Sequence, residues 1–367
     1  MKITGIELIR LELPLQPPFP AAWDPRPRRS FPATLVLVDT DEGVRGIGSG
    51  DSMAGFESYL DLFLGTDPLA IARQVRVLET VAFHGCRPWP LEAALWDIAG
   101  QVTGQPVARL LGGFTDRILA YASTGALAGR RERVEMAQAA AAAGFRALKI
   151  RVDPAQCAGG LGAVAAVREA LPGLTIMVDL NQGWRMPGDT RGPIDPVAAR
   201  RILDQLAELD VFWLEEPLAA TDVRGLAALR AAGRMRIAGG EMVRSYAELT
   251  ALAEADALDV YQPDAVLAAG ISRARTLAEH VLAKGRMFSP HTWTNGIGLL
   301  ANLHLVAGAG GGPYLEYPYD PPGWTPQRRD FMLAEPVAVT GDGYLVLSER
   351  PGLGIVLDHD AVRRYRV

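Results

Sequence analysis

The sequence predicts an α/β fold: a closed barrel of (β/α)7β type, beside an α+β domain that both ends of the chain build. From Ile118 onward, short apolar strand segments alternate with helical segments rich in Ala, Leu and Arg. Eight strand segments and seven helical segments occur before this alternation stops after Pro318. Such regular alternation implies a parallel sheet with right-handed crossovers, and eight parallel strands are the number that closes a barrel.

The chain ahead of the barrel shows a different pattern. Residues 3–13 and 34–49 alternate apolar and polar side chains, which is typical of half-buried strands. The prolines and arginines of 16–32 disfavour regular structure, so this segment is expected to be a disordered connector or a mobile functional loop. Helices are predicted over about 57–83 and 91–103.

These patterns divide the chain into three parts. Residues 1–117 form the N-terminal α+β domain and 118–329 form the barrel. The tail, 330–367, reads as strand-like with a turn at Asp342–Gly343, and is expected to return to the N-terminal domain. The barrel strands are predicted in the segments ILAYAS, ALKIRV, LTIMVDL, VFWLEEP, MRIAGGE, LDVYQPD, RMFSPH and PYLEYP, in chain order.

Composition limits the classes of function. Of the 367 residues, 49% are apolar and 22% are charged, as in ordinary soluble globular proteins. A net charge of −5 argues against nucleic acid as the main partner, and no apolar run reaches the length of a membrane span. The two distant cysteines, Cys86 and Cys157, form neither a metal pair nor a disulfide framework. We therefore expect a cytoplasmic protein that binds neither nucleic acid nor membranes.

Ionisable residues end one barrel strand after another. Successive strand ends lie 30, 36, 26, 23, 27 and 25 residues apart, each about one strand–helix unit. In a parallel barrel these positions all lie at the C-terminal face, where barrel enzymes place their chemistry. Polar residues are common where any strand ends. That tendency explains one or two ionisable residues, but it does not explain an ionisable residue at the end of six successive strands. The residues are Lys149, Arg151, Asp179, Glu215, Glu216, Glu241, Asp264, His291 and Glu316.

Three of these residues predict a metal centre. Asp179, Glu215 and Glu241 end three consecutive strands, so their carboxylates are expected to converge and to repel one another. A hard divalent cation relieves that repulsion, and Mg²⁺ prefers octahedral oxygen coordination with positions left open for a substrate. The sequence contains no cluster of Cys and His residues of the kind that binds zinc.

Two further groups flank this centre as candidate bases. Asp264 and His291 end neighbouring strands, so that the carboxylate can orient the imidazole and raise its basicity. Lys149 lies across the barrel, and it is one of only three lysines among 37 basic residues. An amine with a pKa lowered by nearby positive charge can act as a base, whereas arginine does not deprotonate. Together with a divalent metal, these groups suit removal of a proton alpha to a carboxylate.

At these residues the chain resembles the enolase superfamily, specifically the mandelate racemase subgroup. The resemblance covers nearly the whole chain. Its motifs are WDIAGQVTGQPVARLLGG (96–113), KIR (149–151), VDLNQGW (178–184), WLEEP (213–217), GGE (239–241), QPD (262–264), SPH (289–291) and LEY (315–317). It implies a (β/α)7β modified TIM barrel, with the N-terminal region as a capping domain whose loops at about 16–32 and 50–56 close over the substrate.

The resemblance also implies roles for single residues. It gives one Mg²⁺ per active site to the three carboxylates named above, and acid/base roles to Lys149 and to the Asp264–His291 dyad. It implies that Glu316 is a hydrogen-bonding electrophile at the substrate carboxylate. Asn181 matches a position that commonly lines the site.

Some positions stay open. The second barrel strand carries Lys149 and Arg151, where the subgroup motif is often Lys-x-Lys, so either position is a candidate for proton transfer. Arg151 is also a candidate substrate contact. Trp293, two residues past the catalytic histidine, is either a substrate contact or part of the core. The segment 184–195 looks longer than the usual loop, and either shapes the pocket or is a surface insertion.

The leading hypothesis is a magnesium-dependent lyase, a dehydratase of a sugar acid (an aldonate or aldarate). Removal of the proton alpha to the carboxylate gives a metal-stabilised enediolate. Loss of the β-hydroxyl, assisted by His291, then gives a 2-keto-3-deoxy acid. The alternative is a racemase or epimerase of a 2-hydroxy acid that uses Lys149 and His291 as opposed bases, and a remote one is a non-catalytic metal-binding homologue. The resemblance further implies a small-molecule carboxylate substrate and a homo-oligomer, dimer or octamer.

Overall fold

A computed structural model describes residues 1–367. The N-terminal part is a three-stranded antiparallel sheet in the order β1–β2–β3, covered by helices. Its strands are β1 (Ile3–Phe19), β2 (Arg28–Thr40) and β3 (Arg45–Gly50). A 3₁₀ helix (Phe56–Leu62) and three α-helices follow, namely α1 (Ile71–His84), α2 (Trp89–Thr103) and α3 (Val107–Leu110).

Strand β1 alternates buried and exposed side chains in its central part, as the sequence pattern predicts, whereas residues 33–38 of β2 are all buried because both faces of the sheet are covered. In β1 the side chains of Ile9, Leu11 and Leu13 are buried while the residues between them are exposed. On the other side of the domain, α2 lies directly against β3. A Cβ at Gly46 or Gly48 would collide with backbone oxygens of α2, so the two glycines permit this close approach.

The barrel is a sheet of eight parallel strands linked by seven helices. The strands are β4 (Arg117–Ser123), β5 (Ala147–Arg151), β6 (Thr175–Asp179), β7 (Trp213–Glu215), β8 (Arg236–Gly239), β9 (Val260–Tyr261), β10 (Met287–Phe288) and β11 (Tyr314–Pro318). The helices are α4 (Arg130–Ala142), α5 (Cys157–Ala170), α6 (Pro196–Ala207), α7 (Val223–Ala231), α8 (Tyr246–Glu254), α9 (Gly270–Ala283) and α10 (Gly296–Ala309). A second 3₁₀ helix (Pro154–Gln156) precedes α5. The predicted (β/α)7β barrel is confirmed.

The strand order runs from β10 through β4 to β11, and the two end strands meet to close the barrel. The amide N–H of Gly312 donates to the carbonyl of Phe288 at 2.8 Å, and the Ser289 hydroxyl donates to the carbonyl of Tyr314 at 2.7 Å. Large side chains fill the barrel interior, with the rings of Tyr121 and Trp213 meeting edge to face at 5.4 Å. The interior is therefore a packed core, and its charged groups lie in the C-terminal halves of the strands and just beyond them.

Two segments of the N-terminal domain differ in part from the sequence predictions. The two ends of the segment 16–32 are strand, because Phe19 and Phe31 are buried against Trp324 with ring centroids 5.4 and 4.8 Å away, and residues 20–27 form the loop that joins β1 and β2. The predicted single helix over 57–83 is instead the first 3₁₀ helix followed by α1. The chain between them contains Gly65 in a left-handed conformation (φ 71°), which interrupts the helix.

The tail also differs from the strand-like reading. The predicted turn leads into β12 (Tyr344–Val346), but this strand pairs antiparallel with barrel strand β4 and not with the N-terminal sheet. Two short helices flank it, α11 (Pro326–Arg329) and α12 (His359–Tyr365). The Asp358 carboxylate accepts hydrogen bonds from the first amides of α12, a cap that favours helix there. The tail contacts the N-terminal domain at several points: Phe331 packs on Phe31 with ring centroids 6.1 Å apart, the Leu353 N–H donates to the Asp97 carboxylate of α2, and the Val367 N–H donates to the Arg10 carbonyl of β1.

None of the helices has both the length and the apolar character needed to cross a bilayer.

Candidate active site

The centre of the site is a triad of carboxylates. Asp179 ends β6, Glu215 ends β7, and Glu241 follows β8, so three adjacent parallel strands bring them together. One carboxylate oxygen from each lies within 4.8 Å of the others, and all three residues are buried. Oε2 of Glu241 is buried without a hydrogen-bond partner. A hard cation held by the three carboxylates would satisfy that oxygen and offset the repulsion among the acids, so the residues fit Mg²⁺.

Lys149 lies deep among these carboxylates. Its amine contacts Glu215, and it lies 2.7 Å from Glu316 and 3.5 Å from Asp179. Burial alone would lower the pKa of Lys149, but Glu215 and Glu316 outweigh burial and raise it. A lowered pKa of Lys149 was expected from positive charge supplied by Arg151 or by Mg²⁺; Arg151 alone does not lower it, because the carboxylates around the amine dominate.

Arg151 lies two residues farther along the same strand, at its end. Its guanidinium contacts Asp179, donates to the Thr124 carbonyl at 2.8 Å, and donates to Oδ1 of Asn181 at 3.2 Å. Its charged plane also lies 4.8 Å from the ring of Trp23. Arg151 thus presents a fixed positive charge next to the triad.

The predicted His–Asp dyad forms. Nδ1 of His291 lies 2.9 Å from Oδ2 of Asp264, and Nε2 lies 3.8 Å from Oε2 of Glu241. The other oxygen of Asp264 accepts from the Val266 amide and from the Asn302 side chain, which fixes the carboxylate. An ionised carboxylate only accepts hydrogen bonds, so Nδ1 carries the proton and Nε2 is left to exchange one. Burial would lower the pKa of His291, but Glu241, Glu316 and Asp264 outweigh burial and raise it to about 9.

Glu316 lies in the middle of the last barrel strand, β11, and is held on both oxygens. Oε1 accepts from the Ser123 hydroxyl at 2.7 Å and Oε2 accepts from the Thr292 amide at 2.8 Å. Burial would raise the pKa of Glu316, but Lys149, His291 and other nearby positive charge outweigh burial and lower it to about 2. Glu316 is therefore an anion in this structure, where it balances the charge of Lys149.

A cavity of about 500 Å³ opens above these groups, between the barrel and the N-terminal domain. The predicted site residues divide into two layers around it. Those that line the cavity are Arg151, Asn181, Glu241, His291 and Trp293. Those that lie beneath the lining, fully buried, are Lys149, Asp179, Glu215, Asp264 and Glu316.

The segment 184–195 contributes to the cavity wall. Trp184 and Met186 line the cavity, and the Trp184 indole N–H donates to Oε1 of Glu241 at 2.7 Å. The sequence analysis did not predict this hydrogen bond between Trp184 and the acidic triad. Trp293 meets Trp23 of the N-terminal domain edge to face at 4.8 Å and donates to the Ser123 hydroxyl at 2.8 Å. Trp293 thereby joins the two domains at the cavity edge.

The N-terminal domain adds polar residues that sequence reasoning did not assign to the site. Asp51, beyond the end of β3, and Arg87, between α1 and α2, line the cavity, as does Arg244 in the loop before α8. Asp51 lies within the segment 50–56, which the resemblance implied to be a capping loop. Arg87 and Arg244 carry no strand-end signal, so spacing could not identify them.

Fold and site together define a class: a capped α/β-barrel with a buried acidic triad and an opposing His–Asp dyad. Comparison with known proteins assigns the chain to a family of the same class. The "Mandelate racemase / muconate lactonizing enzyme, N-terminal domain" family matches residues 6–112, and the "Enolase C-terminal domain-like" family matches residues 132–361. The chain therefore belongs to the mandelate racemase/muconate lactonizing enzyme family of the enolase superfamily, as the resemblance implied.

Similar proteins of known activity come from several bacteria. D-galactarolactone cycloisomerase of Agrobacterium fabrum is 28% identical, over 100% of this chain and 99% of that protein. L-talarate/galactarate dehydratase of Salmonella typhimurium is 31% identical, over 75% of this chain and 64% of that protein. A crystal structure of the latter enzyme, liganded with Mg and L-lyxarohydroxamate, has a TM-score of 0.85 at 28% identity, covering 100% of this chain and 93% of the other.

Proposed function

We propose that the protein is a magnesium-dependent dehydratase that converts a sugar acid to a 2-keto-3-deoxy acid. The observation that carries this proposal is the His291–Asp264 dyad, whose Nε2 faces the cavity beside the acidic triad. A group that can transfer protons, lying beside the proposed metal ligands, supports removal of the proton alpha to a bound carboxylate. The relatives named above, a sugar-acid dehydratase and a sugar-acid lactone cycloisomerase, support the substrate class.

Asp179, Glu215 and Glu241 would hold the Mg²⁺ ion. When bound, the ion supplies positive charge at the substrate carboxylate, where negative charge develops as the alpha proton leaves. Arg151 adds a fixed positive charge at the same place, and Asn181 offers an amide for a substrate oxygen. These two residues would therefore orient the acid in the cavity.

His291 performs the proton transfers in this proposal. A Mg²⁺ ion held by Glu241 would offset part of the negative charge that raises the pKa of His291, which favours the neutral imidazole. Nε2 of the neutral imidazole accepts the alpha proton, which breaks the C–H bond, while Asp264 stabilises the resulting imidazolium through Nδ1. The β-hydroxyl then leaves as its C–O bond breaks, and it takes the proton from Nε2 to become water. The enol that remains tautomerises to the 2-keto-3-deoxy acid. One acid/base group is sufficient for this sequence.

The racemase alternative needs a second group on the opposite face of the alpha carbon. On that face the cavity presents Arg151, which does not deprotonate, while the Lys149 amine lies beneath the lining among carboxylates. This arrangement supports elimination over two-base racemisation. A proton-transfer role for Lys149 stays a prediction, and the variants described in the Discussion test it.

Proton NMR in D₂O tests the proposal, with Mg²⁺ and pools of four- to six-carbon mono- and diacid sugars. New methylene signals of a 2-keto-3-deoxy product are expected from at least one pool. Loss of an alpha-proton signal without that product would indicate racemisation or epimerisation instead. The sugar lactones belong in a parallel pool, since loss of the ring oxygen in place of a hydroxyl would indicate cycloisomerisation. Metal binding with no reaction of any acid would favour a non-catalytic homologue.

A further inference from the structure

We infer that the substrate carries a second anionic group at the end away from the reacting carbon, and that Arg87 and Arg244 bind it. The inference rests on the proposed function, because it takes the reacting carboxylate to lie at the acidic triad. It narrows the substrate class to sugar acids with two anionic ends. The distal group is a carboxylate, as in an aldarate, or a phosphate ester.

The cavity has two chemically different sides. The barrel side carries the strand-end groups Glu241, His291 and Arg151. The opposite side is formed by the N-terminal domain, which contributes Asp51 and Arg87. A sugar acid held at the strand ends by one carboxylate would therefore extend its chain toward the N-terminal domain.

Five arginines line the cavity, and three of them are already engaged by the protein. Arg28 pairs with Asp24 through two nitrogens. Arg151 contacts Asp179 and Asn181, as described above. The Arg185 guanidinium donates to several acceptors of its own loop, including the Asn181 carbonyl at 2.9 Å and the Gln182 side chain at 2.7 Å. These three guanidinium groups are held in place by the protein itself.

The remaining two arginines lack such partners. The side chain of Arg87 makes no hydrogen bond, and its one ion pair is with Asp51 at 4.0 Å. The side chain of Arg244 makes neither a hydrogen bond nor an ion pair, although it lines the same cavity. The two arginines come from different domains, so the fold brings two donor groups of like charge to one place.

The like charges are close enough to affect one another. Burial lowers the pKa of Arg87 more than the nearby Asp51 raises it, and the positive charge of Arg244 acts in the same direction as burial. An anion between Arg87 and Arg244 would relieve this repulsion. Guanidinium groups match carboxylate and phosphate oxygens in two-point hydrogen bonds.

The alternative is a pair of solvated arginines at the cavity mouth. Arg244 is exposed and fits that description, but the side chain of Arg87 is only 28% exposed. A partly buried guanidinium without a hydrogen bond has lost water without gaining a protein acceptor. A ligand oxygen supplies that acceptor when the substrate is bound.

The experiment compares acids that differ only at the distal end. For each hydroxyl configuration, kcat/KM is measured by NMR for the aldarate, the aldonate and the 6-phosphoaldonate, with Mg²⁺ present. Loss of a charge-assisted contact corresponds to about 10- to 100-fold in kcat/KM. We expect kcat/KM for the acid with two anionic ends to exceed kcat/KM for the aldonate by at least about 10-fold. In Arg87→Gln and Arg244→Gln the ratio of these two kcat/KM values, that of the acid with two anionic ends over that of the aldonate, should fall toward one.

The matched control is Arg131→Gln, an exposed arginine on α4 away from the cavity, in which the ratio should equal that of the wild type. Thermal melts of the three variants establish that each is folded. A preference for the aldarate identifies a carboxylate as the distal group, and a preference for the 6-phosphoaldonate identifies a phosphate. Either result supports the inference if the ratio falls in the two cavity variants.

Two results separate failure of this inference from failure of the proposed function. Equal turnover of aldonates and diacids, or a ratio unchanged in Arg87→Gln and Arg244→Gln, would overturn the distal anion site while the dehydratase stands. Absence of reaction with every acid would overturn the proposed dehydratase. The distal site would then be judged by calorimetric dissociation constants of aldarate and aldonate in the same variants, where equal values would reject it.

Discussion

Trp184→Phe removes one hydrogen bond from the acidic triad and keeps an aromatic ring in the cavity wall. In the wild type the indole N–H holds Oε1 of Glu241 at 2.7 Å, which leaves Oε2 free for a metal ion. A hydrogen bond to a charged group contributes about 1.5 to 3 kcal/mol. At about 1.4 kcal/mol for each tenfold change, the affinity for Mg²⁺ should fall about 10- to 100-fold. Groups that orient metal ligands commonly have effects of this size.

Calorimetric titration of metal-free protein with Mg²⁺ measures this change without any substrate. The matched control is Trp96→Phe, because Trp96 also donates its indole N–H to a carboxylate, that of Glu92, but far from the triad. Trp96→Phe should bind Mg²⁺ as the wild type does. If Trp184→Phe binds Mg²⁺ with wild-type affinity, Glu241 is not a ligand held by Trp184, and the reasoning fails at that step.

Three further predictions concern other buried charges. Glu241→Gln should lower Mg²⁺ affinity and activity together, and calorimetry showing unchanged affinity would remove this residue from the metal centre. Lys149→Arg should reduce kcat far more than Arg151→Lys, because a larger guanidinium does not fit among the carboxylates around the Lys149 amine. If Arg151→Lys reduces kcat more, position 151 carries proton transfer. Burial lowers the pKa of His304 to about 4, so this group favours the folded state while neutral, and stability should fall on the order of 3 kcal/mol as pH drops from about 6.5 to 4. In urea unfolding, the fall in stability over this pH range should be larger by this amount in the wild type and in the exposed-site control His280→Gln than in His304→Gln. An equal fall in all three would reject the prediction.

The barrel and its catalytic face were predictable because they depend on periodicity. Strand-to-strand spacing places Asp179, Glu215 and Glu241 on adjacent strands, and parallel strands bring their last residues to one edge. The same reasoning pairs Asp264 with His291. In each case the strand direction fixes where the side chain lies, so the position in sequence is enough.

Depth within the barrel was harder to predict. Lys149 and Arg151 are two residues apart on one strand, so their side chains point to the same side of the sheet. Arg151 nevertheless lines the cavity, whereas Lys149 is buried beneath the lining. The sequence shows that both face inward, but not that the carboxylates of neighbouring strands surround Lys149 while Arg151 reaches the cavity. Layer position depends on the tilt and stagger of the strands.

The loop residues that line the cavity could not be predicted from spacing. Asp51, Arg87 and Arg244 lie in loops, which have no regular period to place a side chain. Residues 87 and 244 come together only because the N-terminal domain docks on the barrel. Part of that docking is the hydrogen bond of 2.9 Å from the Asn295 side chain to the Ser49 hydroxyl. Contacts between distant loops of this kind require the three-dimensional structure.

The central claim is that His291 exchanges a proton with the substrate beside a magnesium ion. The most direct test is Mg²⁺-dependent loss of the substrate alpha-proton signal in D₂O, with His291→Asn compared against the wild type, each shown by calorimetry to bind Mg²⁺. The account predicts that the wild type loses the signal and forms the 2-keto-3-deoxy product, while His291→Asn binds the metal equally well and does neither. Exchange and product formation at the wild-type rate in His291→Asn would contradict it.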